Sequence, residues 1–262
     1  MTRDDVLSVA QVREILAAAH GRHLTALLAR FQDDPRAGVQ ATLISARARA
    51  EAARRELRRT KRLYALEQEL RARGFTLVAG IDEVGRGALA GPMTAAAVVL
   101  RELPLLEGLD DSKRLTPARR EQLAAIVHRK AVAVGVAHVS SGEIDSLGMT
   151  AALRRVMGRA LDQLGLAVDH VVLDGLPLHV VPNETAVVKG DQKVAAVAAA
   201  SIVAKVARDA LMRSLANEYP SYSFEVNKGY GTSEHLSAIA RNGLCAVHRK
   251  SFTVGGGTQT LF

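Results

Sequence analysis

Two adjacent carboxylates, Asp82 and Glu83, stand at the end of the apolar run Thr76 to Ile81, and a Gly85-Arg86-Gly87 turn follows them at once. Carboxylates converging in one place suit hard, oxygen-seeking cations such as Mg²⁺ and Mn²⁺. Glycines beside them let a phosphate backbone approach main-chain groups that a Cβ would shield. Successive strand residues point to opposite faces, so the pair shares a site only if the strand ends or bends between them, and the glycines are expected to end it. Asp174 repeats the pattern, because an apolar run from His170 leads to it and Gly175 follows. Ligand sites in α/β sheets gather at the carboxyl ends of strands, which places both acids at one rim. Asp191, in Lys189-Gly190-Asp191, is expected both to join them and to cap the long helix after it. Asp209 is the rival fourth acid, but it is 18 residues further along that helix, roughly 27 Å away along the axis. It is assigned instead to Lys205 as a surface i, i+4 pair. Asp110 and Asp111 lie ahead of a helix start and are assigned to turn chemistry.

A second cluster suits phosphate and base contact. In Asn227-Lys228-Gly229-Tyr230-Gly231-Thr232 an aromatic stands between glycines, where a ring can stack on a sugar or base. His248, Arg249, Lys250 and Ser251 add cations and a hydroxyl for phosphate. His235 and His248 lack the spaced Cys or His company of a zinc site.

Elements able to position these residues are legible along the chain. Strands are expected over 76–81, 93–100, 131–140, 170–174 and 185–189, and helices over 117–130, 142–164, 192–218 and 233–242. Thr116 with Pro117 is a strong helix start, and Gly243 is a stop. Neighbouring strands followed by strands alternating with helices indicate an α/β domain around a mixed sheet. Ahead of it, helices over 9–19 and about 41–73 flank the breaker Gln32-Asp33-Asp34-Pro35-Arg36-Ala37-Gly38. The domains are thus a basic helical module over 1–74, a catalytic domain over 75–253 and a tail over 254–262.

The 262 residues, 48% of them hydrophobic, exclude a disordered chain. The net charge of +8 points to a polyanionic partner. Residues 1–75 carry 15 basic and 9 acidic side chains, so +6 of that total lies in front. Along Arg47 to Arg62 the arginines leave a basic stripe on one side of a helix. A single cysteine, Cys245, suits a reducing cytoplasmic setting. Neither a signal peptide nor a membrane span is expected, and the protein is expected to be a monomer.

Eight blocks in order resemble the ribonuclease HII family: IDEVGRG (81–87), LAGP (89–92), DSKRL (111–115), LDG (173–175), KGD (189–191), AAASIVAKVARD (198–209), NKGYGT (227–232) and HRKSF (248–252). Residues before 75 resemble, more loosely, the N-terminal extension of its longer members. The resemblance implies a ribonuclease H-like fold that cuts the RNA strand of RNA/DNA hybrids. It also implies nicking of duplex DNA 5′ to an embedded ribonucleotide, leaving 3′-hydroxyl and 5′-phosphate ends. It implies Asp82, Glu83, Asp174 and Asp191 as the catalytic, metal-binding acids around Mn²⁺ or Mg²⁺. Gly85, Arg86 and Gly87 would sense the 2′-hydroxyl and Tyr230 would stack beside the junction. Ser112, Lys113, Lys189, His248 and Arg249 complete the expected substrate contacts. Val194 and Gly148-Met149 depart from the usual pattern, at helix contacts rather than at the chemistry. A different two-metal hydrolase and a noncatalytic nucleic-acid binder are the competing readings; the glycine turn with Tyr230 argues against the first and the four acids against the second. The ending Leu261-Phe262 faintly resembles a sliding-clamp ligand.

Overall fold

The computed structural model describes residues 7–252. The tail over 254–262 with its clamp-like ending lies outside the described residues. Contacts divide the chain into two compact units, 1–59 and 60–262. The boundary falls inside a helix, ahead of the expected division at 74.

In the first unit, α1 (Val9–Ala18), α2 (Gly21–Phe31) and the start of α3 (Ala37–Leu63) enclose a small core of Val12, Leu16, Leu24, Leu27, Phe31, Val39 and Leu43. Ser8 and Gln11 form a capping box at α1. α2 was not expected, since His20 before it makes no side-chain cap bond. α3 is long because Ala, Leu, Arg and Glu, all strong helix formers, dominate it. Arg47, Arg54 and Arg58 are exposed along it.

The second unit begins with the last residues of α3, followed after Tyr64 by α4 (Ala65–Ala72), and continues through a five-stranded sheet of order β3-β2-β1-β4-β5. The strands are β1 (Val78–Val84), β2 (Met93–Val99), β3 (Ala133–Val139), β4 (His170–Asp174) and β5 (Glu184–Val187). β1 pairs antiparallel with β2 and parallel with β4, which makes the sheet mixed as expected. Helices cover both faces: α7 (Met149–Asp162) on one, α5 (Pro117–Lys130) and α8 (Ala195–Glu218) on the other. The single helix expected over 142–164 is two, α6 (Ser141–Leu147) and α7, broken at Gly148, whose φ is 76°. The remaining helices are α9 (Phe224–Asn227) and α10 (Ser233–Asn242).

α8 runs directly over the central strands. Its alanines at 195, 196 and 198–200 are fully or almost fully buried, and a Cβ on Gly80 of β1 would lie 2.2 Å from the Ala196 carbonyl carbon. Small residues on both surfaces therefore bring helix backbone onto strand backbone, which holds Ser201 against β1. Among the described residues no helix is long and apolar enough to cross a membrane.

Candidate active site

β1 does not end between the two acids. The antiparallel ladder continues with Asp82 opposite Ala96, Glu83 opposite Ala95 and Val84 opposite Thr94. The alanine-rich partner strand offers a full row of hydrogen bonds, so the chain turns only at Gly85 (φ 88°). Asp82 shares the α8 face with Gly80, is buried, and hydrogen-bonds Ser201. Its Oδ1 accepts the Glu83 amide at 2.8 Å. β4 runs parallel beside β1 with Leu173 opposite Ile81, which carries Asp174 to the same rim as Asp82.

Asp174 Oδ1 accepts the Gly190 amide at 2.7 Å and so ties the end of β4 to the 3₁₀ turn Gly190–Gln192 that presents Asp191. Asp191 does not cap α8. The helix begins at Ala195, and Val194 before it makes no side-chain cap bond. The capping carboxylate comes from far away in sequence: the Ala196 amide donates to Glu67 Oε1 at 2.7 Å. Asp191, isolated by the intervening 3₁₀ turn, keeps its carboxylate for the site.

Electrostatics link all four acids. Burial pushes the Asp82 carboxyl well above its ordinary range, and the charges of Glu83 and Asp174 push it further. Glu83 is also raised, first by burial, with Arg86 and Lys113 opposing. Asp191 is raised to about 6 by burial, then by Asp111 and Asp174. Sequence reasoning missed Asp111. It does cap its turn, accepting the Lys113 amide at 2.9 Å, yet its other oxygen receives Gln192 Nε2 at 3.3 Å and faces Asp191. The doubled acid directly before Ser112-Lys113 was the available signal.

Among the described residues no three of these side chains already stand close enough to hold an ion. The unbroken strand directs Asp82 and Glu83 to opposite faces of the sheet, contrary to the expectation that the glycines would end it between them, and like charges in a desolvated rim repel one another. The donors are all carboxylate oxygens, with no sulfur or imidazole among them, which fits a hard divalent cation whose charge would relieve that repulsion.

The glycine turn and the tyrosine loop are joined. Gly229 O accepts the amides of Leu89 (2.8 Å) and Ala90 (3.2 Å). A Cβ on Gly85 would lie 2.1 Å from Arg208 Nε, and the same guanidinium lies 5.4 Å from the centre of the half-buried Tyr230 ring. Arg86, Gly87, Lys113 and Lys189 are exposed, as substrate contacts must be.

Three expected contacts, Ser112, His248 and Arg249, are buried rather than exposed. Ser112 is buried, with its hydroxyl oxygen 3.0 Å from that of Ser201. His248 is buried between Cys245 and His235, with Nε2 3.1 Å from His235 Nε2. Burial holds both imidazoles below their ordinary pKa, and His235 Nδ1 meets Tyr230 O at 2.9 Å. Arg249 is fully buried and bonds only main-chain carbonyls, because the aromatic cluster of Tyr222 and Phe224 draws the His248-Arg249 segment inward. Asp209 does pair with Lys205 at 2.7 Å, but it is buried rather than on the surface.

Comparison with known proteins agrees over nearly the whole chain. The family model described as ribonuclease HII matches residues 79–254, and that of the ribonuclease HII N-terminal domain matches 8–71. A curated ribonuclease HII from Geobacillus thermodenitrificans is 46% identical over 222 residues, 84% of this chain and 85% of that protein. Among solved structures, ribonuclease H2 of Pyrococcus horikoshii superposes with a TM-score of 0.59 at 26% identity, covering 68% of this chain and 95% of that one. A ribonuclease HII of Archaeoglobus fulgidus, solved in complex with PCNA, gives 0.58 at 25% identity, covering 70% and 98%.

Proposed function

The chain belongs to the ribonuclease HII family, and from that premise we propose that it nicks duplex DNA 5′ to an embedded ribonucleotide as well as cutting the RNA strand of RNA/DNA hybrids. It is a nuclease, a hydrolase of phosphodiester bonds. What supports the finer reading is the placement of Asp82 and Asp174 at one rim, joined to the turn that carries Asp191, with Glu83 near enough to press on Asp82, beside a glycine turn tied to the Tyr230 loop.

Asp82, Glu83, Asp174 and Asp191 would hold Mg²⁺ or Mn²⁺. When bound, such ions neutralise charge on the scissile phosphate and activate the attacking water. The chain's own groups select and place the substrate. The main chain of Gly85, Arg86 and Gly87 meets the 2′-hydroxyl, the group that separates RNA from DNA. A site built to bond a hydroxyl discriminates against the analogue lacking it, because its hydrogen-bonding groups lose their partner. The Tyr230 ring, backed by Arg208, stacks on the adjoining sugar or base. Arg86, Lys113 and Lys189 face the phosphates. Cleavage breaks the bond from phosphorus to the 3′ oxygen, leaving a 3′-hydroxyl and a 5′-phosphate.

The basic first unit adds affinity through Arg47, Arg54 and Arg58. Acting as a cytoplasmic monomer, the enzyme serves ribonucleotide excision in DNA replication and repair. The PCNA complex of the Archaeoglobus relative supports assigning the tail over 254–262 to a sliding-clamp contact.

A nicking assay on duplex DNA carrying one ribonucleotide, with Mg²⁺ and Mn²⁺ compared, tests the reading. One incision 5′ to the ribonucleotide is expected, with all-DNA duplex uncut. Digestion only from free ends, or release of terminal phosphate alone, would overturn it.

A further inference from the structure

Two fully buried guanidiniums lie beneath the glycine turn, and neither makes an ion pair among the described residues. Arg249 donates from Nη2 to Gly85 O (2.7 Å) and Gly91 O (3.0 Å), from Nη1 to Arg86 O (2.8 Å) and from Nε to Gly91 O (3.2 Å). Arg208 donates from Nε to Pro92 O (2.8 Å), from Nη1 to Lys228 O (2.9 Å) and from Nη2 to Ala90 O (3.2 Å). Between them they gather carbonyls from residues 85, 86, 90, 91, 92 and 228, which are both sides of the join between the turn and the tyrosine loop.

In a trans peptide the carbonyl of one residue and the N–H of the next point in opposite directions. Arg249 draws the carbonyls of Gly85 and Arg86 inward, and so it aims the N–H groups of Arg86 and Gly87 away from itself, toward the exposed side of the turn. We propose that Arg249 is the positioning residue of the ribonucleotide-sensing turn, fixing its peptide orientation from below, with Arg208 fixing the adjoining loop in the same way. The inference rests on the functional reading above and deepens it. Only a planar fork with several donors spans three carbonyls; an ammonium concentrates its donors on one atom. Asp145 of α6 clamps the segment from behind, accepting the amides of Lys250 and Ser251 at 2.9 Å each.

The test is Arg249→Lys, followed by kinetics on the single-ribonucleotide duplex, binding to that duplex in EDTA, and amide exchange by NMR. The variant should bind duplex as the wild type does and lose about 100-fold in kcat, the effect of misplacing a reacting group by about 1 Å. The amide signals of Arg86 and Gly87 should change while those of β1 and β4 keep their protection. Unchanged kcat in the folded variant overturns the inference. Should Arg249→Lys not fold, Asp145→Ala, on a half-exposed helix, loosens the same segment; about tenfold loss in kcat with unchanged binding is expected, and wild-type kcat overturns the inference. A wild-type enzyme that does not nick this duplex condemns the functional reading instead. In that case a turn whose amide signals stay the same in the variant still refutes the role of Arg249.

Discussion

Glu67 provides a test of how the catalytic unit is held together, since it is a carboxylate buried to 1% exposure at the start of α8. Its Oε1 accepts the Ala196 amide at 2.7 Å, while Oε2 has no partner. Burial pushes its pKa from 4.5 up to about 7. The interval of about 2.5 between the two values corresponds to about 3 kcal/mol of stability. Because the folded value is the higher, this stability is fully present below pH 4.5 and is lost as pH rises through about 7. Glu67→Gln keeps a capping oxygen and removes the ionisation. Urea unfolding of both proteins in EDTA, from pH 4 to pH 8, should show the Gln variant gaining on the wild type by about 3 kcal/mol across that range. A difference between the two proteins that stays constant with pH would refute the reasoning, because the carboxylate would then be solvated or paired in a way its surroundings do not show.

Other outcomes follow from the same geometry. Asp82→Asn should lower cleavage by about 10³-fold or more while duplex binding persists, checked by single-turnover nicking and fluorescence anisotropy. Gly85→Ala forces a side chain into the left-handed region against Arg208 and should destabilise by about 2 kcal/mol, read from chemical denaturation. Removing residues 1–59 should leave chemistry intact and flatten the log–log salt slope of binding by about 3, near 0.9 for each of Arg47, Arg54 and Arg58. Removing residues 1–72 should instead abolish folding, seen by circular dichroism, because Tyr64, Glu67 and Leu70 belong to the second unit's core.

The sheet, its flanking helices and the acids were legible because their signals are local: apolar runs ending in Asp-Glu or Asp-Gly, Thr116 before Pro117, Gly243 after α10. Features that depend on distant partners were not. Nothing near Asp82 says that Ala95 and Ala96 will extend the strand past it, since register is set by the neighbouring chain. α2 starts without a capping side chain, so only its packing against Leu16 and Leu43 marks it as a helix. Glu67 carries no local signal of burial and Arg249 reads as a phosphate contact, and the burial of both follows from a backbone amide and carbonyl 129 and 164 positions away. Asp191 looks like a helix cap because a 3₁₀ turn before a helix has no composition of its own.

If the acids of β1, β4 and the 190–192 turn hold one cation, its binding stabilises the fold through Asp82. Thermal unfolding of the wild type and Asp82→Asn, each in EDTA and in Mn²⁺, addresses it directly. In EDTA the variant should melt higher, since it removes a buried carboxyl crowded by Glu83 and Asp174. With Mn²⁺ at about 100 times its dissociation constant, the wild type should gain about 2.7 kcal/mol and the variant far less. An equal gain in both proteins would mean that the ion binds elsewhere and that Asp82 does not hold it.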